Sequence, residues 1–403
     1  MDFDKEIIKG SIVLLIVFNL YSLLNLIFQS LMARHLSVAE YGVLAALGYF
    51  IYFSGMFSDS IQTVVARYSA SEKDKGKVKD LILRVFLIAL SIAGIFTVLY
   101  MIIMYISFRK TIPYGLAALN GAAIFIFLIV PVMRGTLQGK KRFFALGLDL
   151  FLEAIIKIAL GIGLVLIGWK VYGAIAGIAV SLLVAFLFSV FLLRDVFKAK
   201  RSPFGIKNLF HYSLPFFIVM FAIFSFYSVD LILAQILFPK NVAGEYSIIS
   251  ILSKIIFWGT QPISRAMFPI VIERSSKKIR KDSAYANAFA LVSLGIVLAL
   301  LAFYFFPNLI ITVFSGKTLH LSTFLLFLLG LSMAALSYAH LNLLHDLSVK
   351  SVSLKASLLF IFLLIAGTAL MCYFSKNLLQ FSLAFLVASL GFLVASTLLT
   401  YKK

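Results

Sequence analysis

Four polar residues recur along one predicted helix, at a spacing that places them on a single face. Ser250, Lys254, Gln261 and Arg265 lie at positions i, i+4, i+11 and i+15, so they fall within about 60° of one another around a helix. The rest of that helix is apolar, and charged side chains in such helices usually face a bundle interior or a water-filled cavity. We therefore predict that this face lines a water-filled space.

An acidic residue on the preceding predicted helix could neutralise one of these charges. Asp230 lies shortly before the end of its apolar span and Lys254 shortly after the start of the next, which places both roughly 10–12 Å below the same surface. Two interpretations stay open. Asp230 and Lys254 form a structural ion pair that offsets the cost of two buried charges, or they contact a ligand.

A second set of charges lies on the fifth predicted helix. Asp149, Glu153 and Lys157 follow one another at intervals of four residues, and Lys157 is near the middle of its span. Glu153 and Lys157 have the spacing of a salt bridge along one helix face. The alternative is that Lys157 faces a cavity at the bilayer midplane and binds an anionic group.

The other polar residues of the amino-terminal half have a simpler explanation. Asn25 in the first span and Asp59 in the second add polar surface, and hydrogen bonds between helices account for most such residues in membrane proteins. A functional role for both is the alternative. Arg34 and Arg134 lie at span ends, where we predict that they extend to the membrane surface as long basic side chains commonly do.

The composition is that of an integral membrane protein. Of 403 residues, 62% are hydrophobic and 13% are charged, whereas soluble domains are about 45–50% apolar. No small-residue cleavage site follows the first apolar span, so we expect it to remain as a membrane helix. Cys372 is the single cysteine, which rules out an intrachain disulfide and a cysteine-based metal cluster, and we expect it in the core.

Apolar runs of about 20 or more residues predict an all-α protein with twelve transmembrane helices. The basic residues between them alternate: 26 lysines and arginines lie at the termini and at every second connection, and seven lie at the others. By the positive-inside rule, the protein is a multi-pass protein of the cell membrane with both termini cytoplasmic. The predicted spans are 10–33, 43–66, 81–107, 114–137, 144–168, 171–194, 211–237, 245–271, 285–306, 319–345, 355–374 and 378–399.

The two halves of the chain resemble each other. A shift of 202 residues aligns Ser11 with Ser213, Gly42 with Gly244, and the first two spans with the seventh and eighth. Six spans in each half give both halves the same orientation, which favours a central cleft between two lobes. We predict an amino-terminal lobe over residues 1–200 and a carboxyl-terminal lobe over residues 201–403.

Signatures of catalysis are missing from the sequence. GxSxG, HExxH and Walker loops do not occur, and the five histidines show no convincing metal-binding spacing. We predict a protein that is not an enzyme, with no metal and no cofactor. The basic loops flank membrane spans, so their expected partners are anionic lipid head groups and not nucleic acid.

Short motifs occur in both halves of the chain. In the first half they are ARHLSVAEYG at 33–42 and RGTLQGKKRF at 134–143; in the second they are YSLP at 212–215, VDLIL at 229–233, AGEY at 243–246 and MFP at 267–269. In order and spacing, over nearly the whole chain, these motifs resemble the polysaccharide-transporter (Wzx-type) oligosaccharide flippases of the multidrug/oligosaccharidyl-lipid/polysaccharide exporter superfamily.

That resemblance implies two six-helix lobes, alternating access, and a cationic cavity for the sugar-diphosphate head group of a polyprenyl-linked glycan, with glycan-assembly proteins as further partners. On this basis we predict that Lys157, Lys254 and Arg265 offset the phosphate charge. The predicted contacts to the sugars are Ser250, Gln261 and Asn25. Asp59, Glu153 and Asp230 are predicted to be coupling acids or structural charges.

Two other functions stay open. One is another secondary transporter of the same superfamily that exports a small molecule or drug, although the first span lacks the acidic residue that drug exporters of this kind often carry. The other is a membrane glycan polymerase or ligase. Such enzymes usually have a large outer loop with catalytic residues, whereas the predicted outer connections here are short.

Overall fold

A computed structural model describes most of the chain, and its described residues are helical nearly throughout, with no strand among them. These residues are 5–109, 111–204, 214–276, 282–321, 323–349 and 354–401. They belong to two compact units, Met1–Leu209 and Phe210–Lys403.

In the part of the first unit that the structure describes, there are six long helices and one short one. They are α1 (Lys5–His35), α2 (Val38–Ser71), α3 (Lys75–Ser107), α4 (Tyr114–Gly139), α5 (Phe143–Leu164), α6 (Lys170–Leu192) and α7 (Arg194–Phe197). A π-helical turn, Val165–Trp169, joins α5 to α6. The chain reverses there because Gly168 and Lys170 adopt positive φ angles of 98° and 49°, the first of which only glycine takes without strain.

The described residues of the second unit form eight helices. They are α8 (Leu214–Leu237), α9 (Lys240–Ser253), α10 (Ile255–Ser276), α11 (Asp282–Phe305), α12 (Pro307–Ser315), α13 (Phe324–Val349), α14 (Leu354–Tyr373) and α15 (Leu378–Tyr401). α9 and α10 together form the eighth predicted span. α12 is too short to cross a bilayer.

The prediction of an all-α membrane protein with about twelve spans is confirmed. Ten segments of the described residues are long and apolar enough to cross a membrane, and one of them, Phe143–Leu192, contains both α5 and α6. Among the described helices, α1 also has sufficient length. Counting α5 and α6 separately and adding α1 gives twelve.

The same helix pairings occur in both units. In the first unit α1 packs on α5, α2 on α4, α4 on α6, and α5 on α6. In the second, α8 packs on α14, α10 on α13, α13 on α15, and α14 on α15. α2 begins at Val38 and α9 at Lys240, so the 202-residue shift holds for these helices. The order of contacts in the second unit therefore repeats that of the first.

Close helix contacts in the first unit depend on glycine. A Cβ atom added to Gly177 of α6 would lie 2.6 Å from the backbone nitrogen of Gly161 on α5, and one added to Gly161 would lie 2.7 Å from the ring of Phe28 on α1. Larger residues would push α5 away from both neighbours. These contacts hold α5, which carries most of the buried charges, between α1 and α6.

The segment that follows α7 folds back on the start of α3. Asp80 of α3 is almost fully buried, and its carboxylate accepts hydrogen bonds from Arg201 Nε at 2.6 Å and from the backbone N–H of Phe204 at 2.9 Å. Residues 201–204, which the sequence analysis assigns to the second lobe, therefore pack on the first unit.

Candidate charge networks

Asp230 and Lys254 form a fully buried ion pair inside the second unit. Lys254 Nζ lies 2.6 Å from Asp230 Oδ1, and neither side chain is exposed. The other carboxylate oxygen of Asp230 accepts hydrogen bonds from Ser250 Oγ at 2.6 Å and from Tyr246 Oη at 3.2 Å. Lys254 also donates to Ser250 Oγ at 3.0 Å, and its ammonium lies 5.1 Å from the ring centre of Tyr227. The predicted pairing is present, and the pair is neutral overall.

Helix geometry brings this pair together. Asp230 and Tyr227 are on α8, Tyr246 and Ser250 are on α9, and Lys254 stands at the junction of α9 and α10. The prediction treated the eighth span as one helix. The structure interrupts regular helix at Lys254, although hydrogen bonds from Lys254 N to Ser250 O and from Trp258 N to Lys254 O cross the junction. Ser250 and Lys254 therefore keep the predicted common face.

The other two residues of that face are less fully described. Gln261 is half-buried, and among the described residues its Nε2 has no hydrogen-bond partner. Arg265 lies in the helical part of α10, but its side chain falls outside the described residues. Their roles as substrate ligands stay predictions.

A larger network of charges is buried in the first unit. Arg134 of α4 donates from Nε to Asp149 and from Nη2 to Glu153, both at 2.6 Å. Ser189 of α6 donates to the other oxygen of Asp149 at 2.9 Å, and Tyr21 of α1 donates to the other oxygen of Glu153 at 2.6 Å. The prediction that Arg134 extends to the membrane surface is wrong, because only 7% of this residue is exposed and two carboxylates on α5 hold its guanidinium.

Lys157 completes this network and neutralises it. Its ammonium lies 3.7 Å from Glu153 and donates a hydrogen bond to Asn25 of α1. The aromatic rings of Tyr21 and Phe28 flank the charge at 5.4 and 5.8 Å. The predicted bridge along α5 is thus present, but it is longer than the bonds that Arg134 makes with Glu153. Of the two cations, Arg134 therefore makes the closer contact with Glu153, and Lys157 is also held by Asn25 and the two rings.

Sequence reasoning missed Arg134, Tyr21 and Tyr246 as members of these networks. A signal existed for Arg134: its span ends where the next begins, so it and Asp149 lie near the same end of two consecutive antiparallel helices. The same depth argument correctly paired Asp230 with Lys254. Tyrosines carry no charge, and nothing in their spacing distinguished these two from other aromatic residues. Asp59, by contrast, is exposed on α2 and belongs to neither network as described.

A third charge cluster lies outside the predicted spans, beyond the end of α6. Asp195 of α7 accepts two hydrogen bonds from Arg142, at 2.6 and 2.8 Å, and pairs with Lys75 at 2.9 Å. The hydrogen bonds from Arg142 hold the pKa of the Asp195 carboxyl well below its usual range, and they raise the pKa of Arg142. Burial lowers the pKa of nearby Lys140. This cluster joins α7, the start of α3 and the turn between α4 and α5.

Solved structures of membrane transporters share this fold. The inward-facing conformation of a multidrug resistance MATE family transporter of the MOP superfamily matches with a TM-score of 0.72 at 15% identity, over 94% of this chain and 92% of that one. A MOP superfamily transporter from Pyrococcus furiosus matches with a TM-score of 0.56 at 15% identity, over 98% and 94%. This chain therefore has the fold of these transporters, and its long apolar helices are those of a multi-pass membrane protein.

The family follows from the sequence match. The family described as polysaccharide biosynthesis protein matches residues 7–274, about two thirds of the chain, and this protein belongs to that family. An uncharacterized membrane protein of Methanocaldococcus jannaschii is 23% identical over 246 residues, which are 57% of this chain and 59% of that protein. The match thus spans less than two thirds of this curated relative.

Proposed function

We propose that the protein is a flippase that moves a polyprenyl-linked oligosaccharide from the cytoplasmic to the outer leaflet of the cytoplasmic membrane by alternating access. The observation that carries the proposal is the match of residues 7–274 to the polysaccharide biosynthesis family. That range includes Lys157, Lys254 and Arg265, the three basic residues deepest in predicted spans. Both termini are cytoplasmic in this proposal, and basic loops contact anionic lipids.

The physical task is to carry a diphosphate and several sugars through about 30 Å of hydrocarbon. Basic side chains offset the phosphate charge, and polar side chains replace water around the sugars. Lys157 is suited to exchange partners, because its contact with Glu153 is 3.7 Å long while Arg134 and Tyr21 satisfy the same carboxylate. Lys157 could form an ion pair with a diphosphate while Arg134 and Tyr21 remain bound to Glu153.

The driving force follows from charge. An inside-negative potential favours outward movement of a negative charge by about 2.3 kcal/mol per 100 mV. Coupling to a proton or sodium ion would use Asp59, Glu153 or Asp230. Glu153 and Asp230 are both engaged with basic residues, so protonation of either would release a cation.

A reconstituted system tests the proposal. Liposomes containing the purified protein and a fluorescent polyprenyl-diphosphate disaccharide are treated with a membrane-impermeant quencher, which reports the fraction of probe in the outer leaflet. Protein-dependent movement of the probe is expected, accelerated by an inside-negative potential. Absence of movement, together with transport of a cationic dye in the same liposomes, would favour a small-molecule exporter; longer glycan chains would indicate a polymerase.

A further inference from the structure

α2 does not have the surface of a lipid-facing helix. None of the residues Val38–Ala70, all of which the structure describes, exposes a large apolar side chain. α3, the next helix, exposes many, among them Leu87, Ile95, Val98 and Ile106 at 60–71%. Helices in contact with lipid tails present aliphatic surface of the α3 kind, so the exposed side of α2 faces something else.

The exposed side of α2 is polar and open. Asp59, Thr63 and Arg67 are exposed at i, i+4 and i+8, and the half-buried Gly48 and Tyr52 extend the same face toward the start of the helix. A Cβ atom added to Gly48 would meet nothing within 4 Å, so there is room beside this residue. We call these five residues the α2 stripe.

The internal repeat gives the α2 stripe a counterpart. The 202-residue shift that aligns the start of α2 with the start of α9 also aligns the stripe with the polar face of the eighth span. The aligned pairs are Gly48 with Ser250, Tyr52 with Lys254, Asp59 with Gln261, and Thr63 with Arg265. Two equivalent helices therefore carry polar residues at equivalent positions. On the eighth span Lys254 is neutralised by Asp230, whereas the α2 stripe carries charges of both signs, Asp59 and Arg67.

We propose that the α2 stripe binds the hydroxyl groups of the transported glycan, an inference that rests on the proposed flippase function. A carboxylate accepts hydrogen bonds from hydroxyls and a guanidinium donates them. The Thr63 hydroxyl donates its proton to the backbone carbonyl of Asp59 at 2.8 Å, and its oxygen keeps a lone pair that accepts a hydrogen bond from a sugar hydroxyl. Because Asp59 and Arg67 have opposite charges, the stripe suits a neutral polyol better than a diphosphate or an apolar drug. The ring of Tyr52 offers an apolar face with a polar edge, and Gly48 leaves space for a sugar ring.

Cysteine accessibility tests the stripe without a transport assay. In a Cys372→Ser background, Gly48→Cys and Thr63→Cys are treated with a charged, membrane-impermeant thiol reagent. Ser91→Cys is the matched control, since Ser91 is exposed on α3 but lies beside Ile95 and Val98. Labelling of both stripe cysteines at least about tenfold faster than Ser91→Cys is expected, because a charged reagent does not enter lipid. Equal rates would overturn the proposal.

Repeating the labelling in the presence of added ligands identifies what the α2 stripe binds. A water-soluble short-chain prenyl diphosphate carrying a disaccharide should slow labelling of Thr63→Cys, while the same prenyl diphosphate without sugar should not. Protection by both probes would assign the stripe to the diphosphate and overturn the glycan assignment. If the unmodified protein binds neither probe, the flippase function itself is wrong, and binding measured by probe fluorescence separates that outcome from a failure of the stripe alone.

Transport by an apolar variant gives the second measurement. Thr63→Leu should lower the flipping rate of the disaccharide-bearing lipid by about tenfold or more, since a site that hydrogen-bonds a hydroxyl loses it when the partner is apolar. Flipping of the sugar-free polyprenyl diphosphate should change less than about twofold, and Ser91→Leu should change neither rate. An equal loss for both lipids would contradict sugar recognition by Thr63.

Discussion

Lys254 Nζ lies 2.6 Å from Asp230 Oδ1 in a setting where neither side chain has any exposed surface. A buried pair of this kind contributes little net stability against an apolar alternative, yet loss of one partner costs about 3–5 kcal/mol because the other charge is left unpaired. Asp230→Asn should therefore lower the yield of folded protein in detergent, and Asp230→Asn with Lys254→Met should recover much of it. Size-exclusion chromatography and thermal unfolding measure both, and additive losses would contradict the pairing.

Substitution of Arg134 should lower the stability of the fold as much as loss of one partner of the Asp230–Lys254 pair. Arg134→Gln removes the cation that Asp149 and Glu153 share, so we expect a loss of about 3 kcal/mol or more in the free energy of unfolding. Arg109→Ala is the control, because Arg109 is exposed beyond the end of α3 and its change should cost about 0.5 kcal/mol or less. Equal stability of the two variants would contradict the buried network and would support the interpretation that Arg134 extends to the membrane surface.

Asp195 predicts a pH dependence. Its pKa is lower in the folded protein than in the unfolded chain, so its pairing stabilises the fold above the unfolded value of about 4 and is lost as the pH falls through the folded pKa. Since a third of the side chain is exposed, the effect is no more than about 1 kcal/mol. The stability difference between wild type and Asp195→Asn should be largest near neutral pH and shrink below pH about 4. A constant difference would contradict this assignment.

Topology is tested by labelling. Cysteines placed at Lys200 and Lys278 should react with an impermeant reagent only from the cytoplasmic side, and those at Lys110, Lys240 and Lys376 only from outside. Intact cells and inverted vesicles give the two sides. A single reversed site would break the twelve-span topology.

Arg265 is the functional prediction for α10. Arg265→Ala should abolish surface-glycan export in cells that lack their own flippase while leaving protein abundance intact, and Arg265→Lys should restore it only in part, because lysine cannot bind phosphate oxygens bidentately. Arg109→Ala, an exposed arginine beyond the end of α3, should have no effect on export. Wild-type export by an abundant Arg265→Ala protein would leave Lys157 as the remaining midplane candidate.

The spans were predictable because hydropathy identifies apolar runs of sufficient length regardless of how they pack. Depth along the chain also sufficed to pair Asp230 with Lys254, since consecutive helices are neighbours. The prediction that Arg134 extends to the membrane surface failed because it considered only the position of the arginine along its own helix. The two carboxylates that bind Arg134 lie on another helix. Hydropathy along the chain does not show which side chains of different helices come into contact.

Helix rotation was the second limit. Cys372 was expected in the core, but it is exposed on α14. That helix is apolar on every side, so its sequence contains no stripe that distinguishes the face toward protein from the face toward lipid. α2 differs from α14, because the exposed residues of α2 form a polar face. The sequence did not predict this face, since Gly48 and Tyr52 carry no charge and do not continue a pattern of charged residues.

The separation in sequence of the paired charges has a consequence for biogenesis. Arg134 precedes Asp149 by 15 residues and Glu153 by 19, so the cation is synthesised before the acids that need it. Asp230 precedes Lys254 by 24 residues, which at about 5–20 residues per second leaves a lone carboxylate without its cation for roughly 1–5 s. We expect α8 to stay in contact with the insertion machinery until α9 has been synthesised. Slower translation of the segment between Asp230 and Lys254 should therefore increase misinsertion of the second unit more than that of the first.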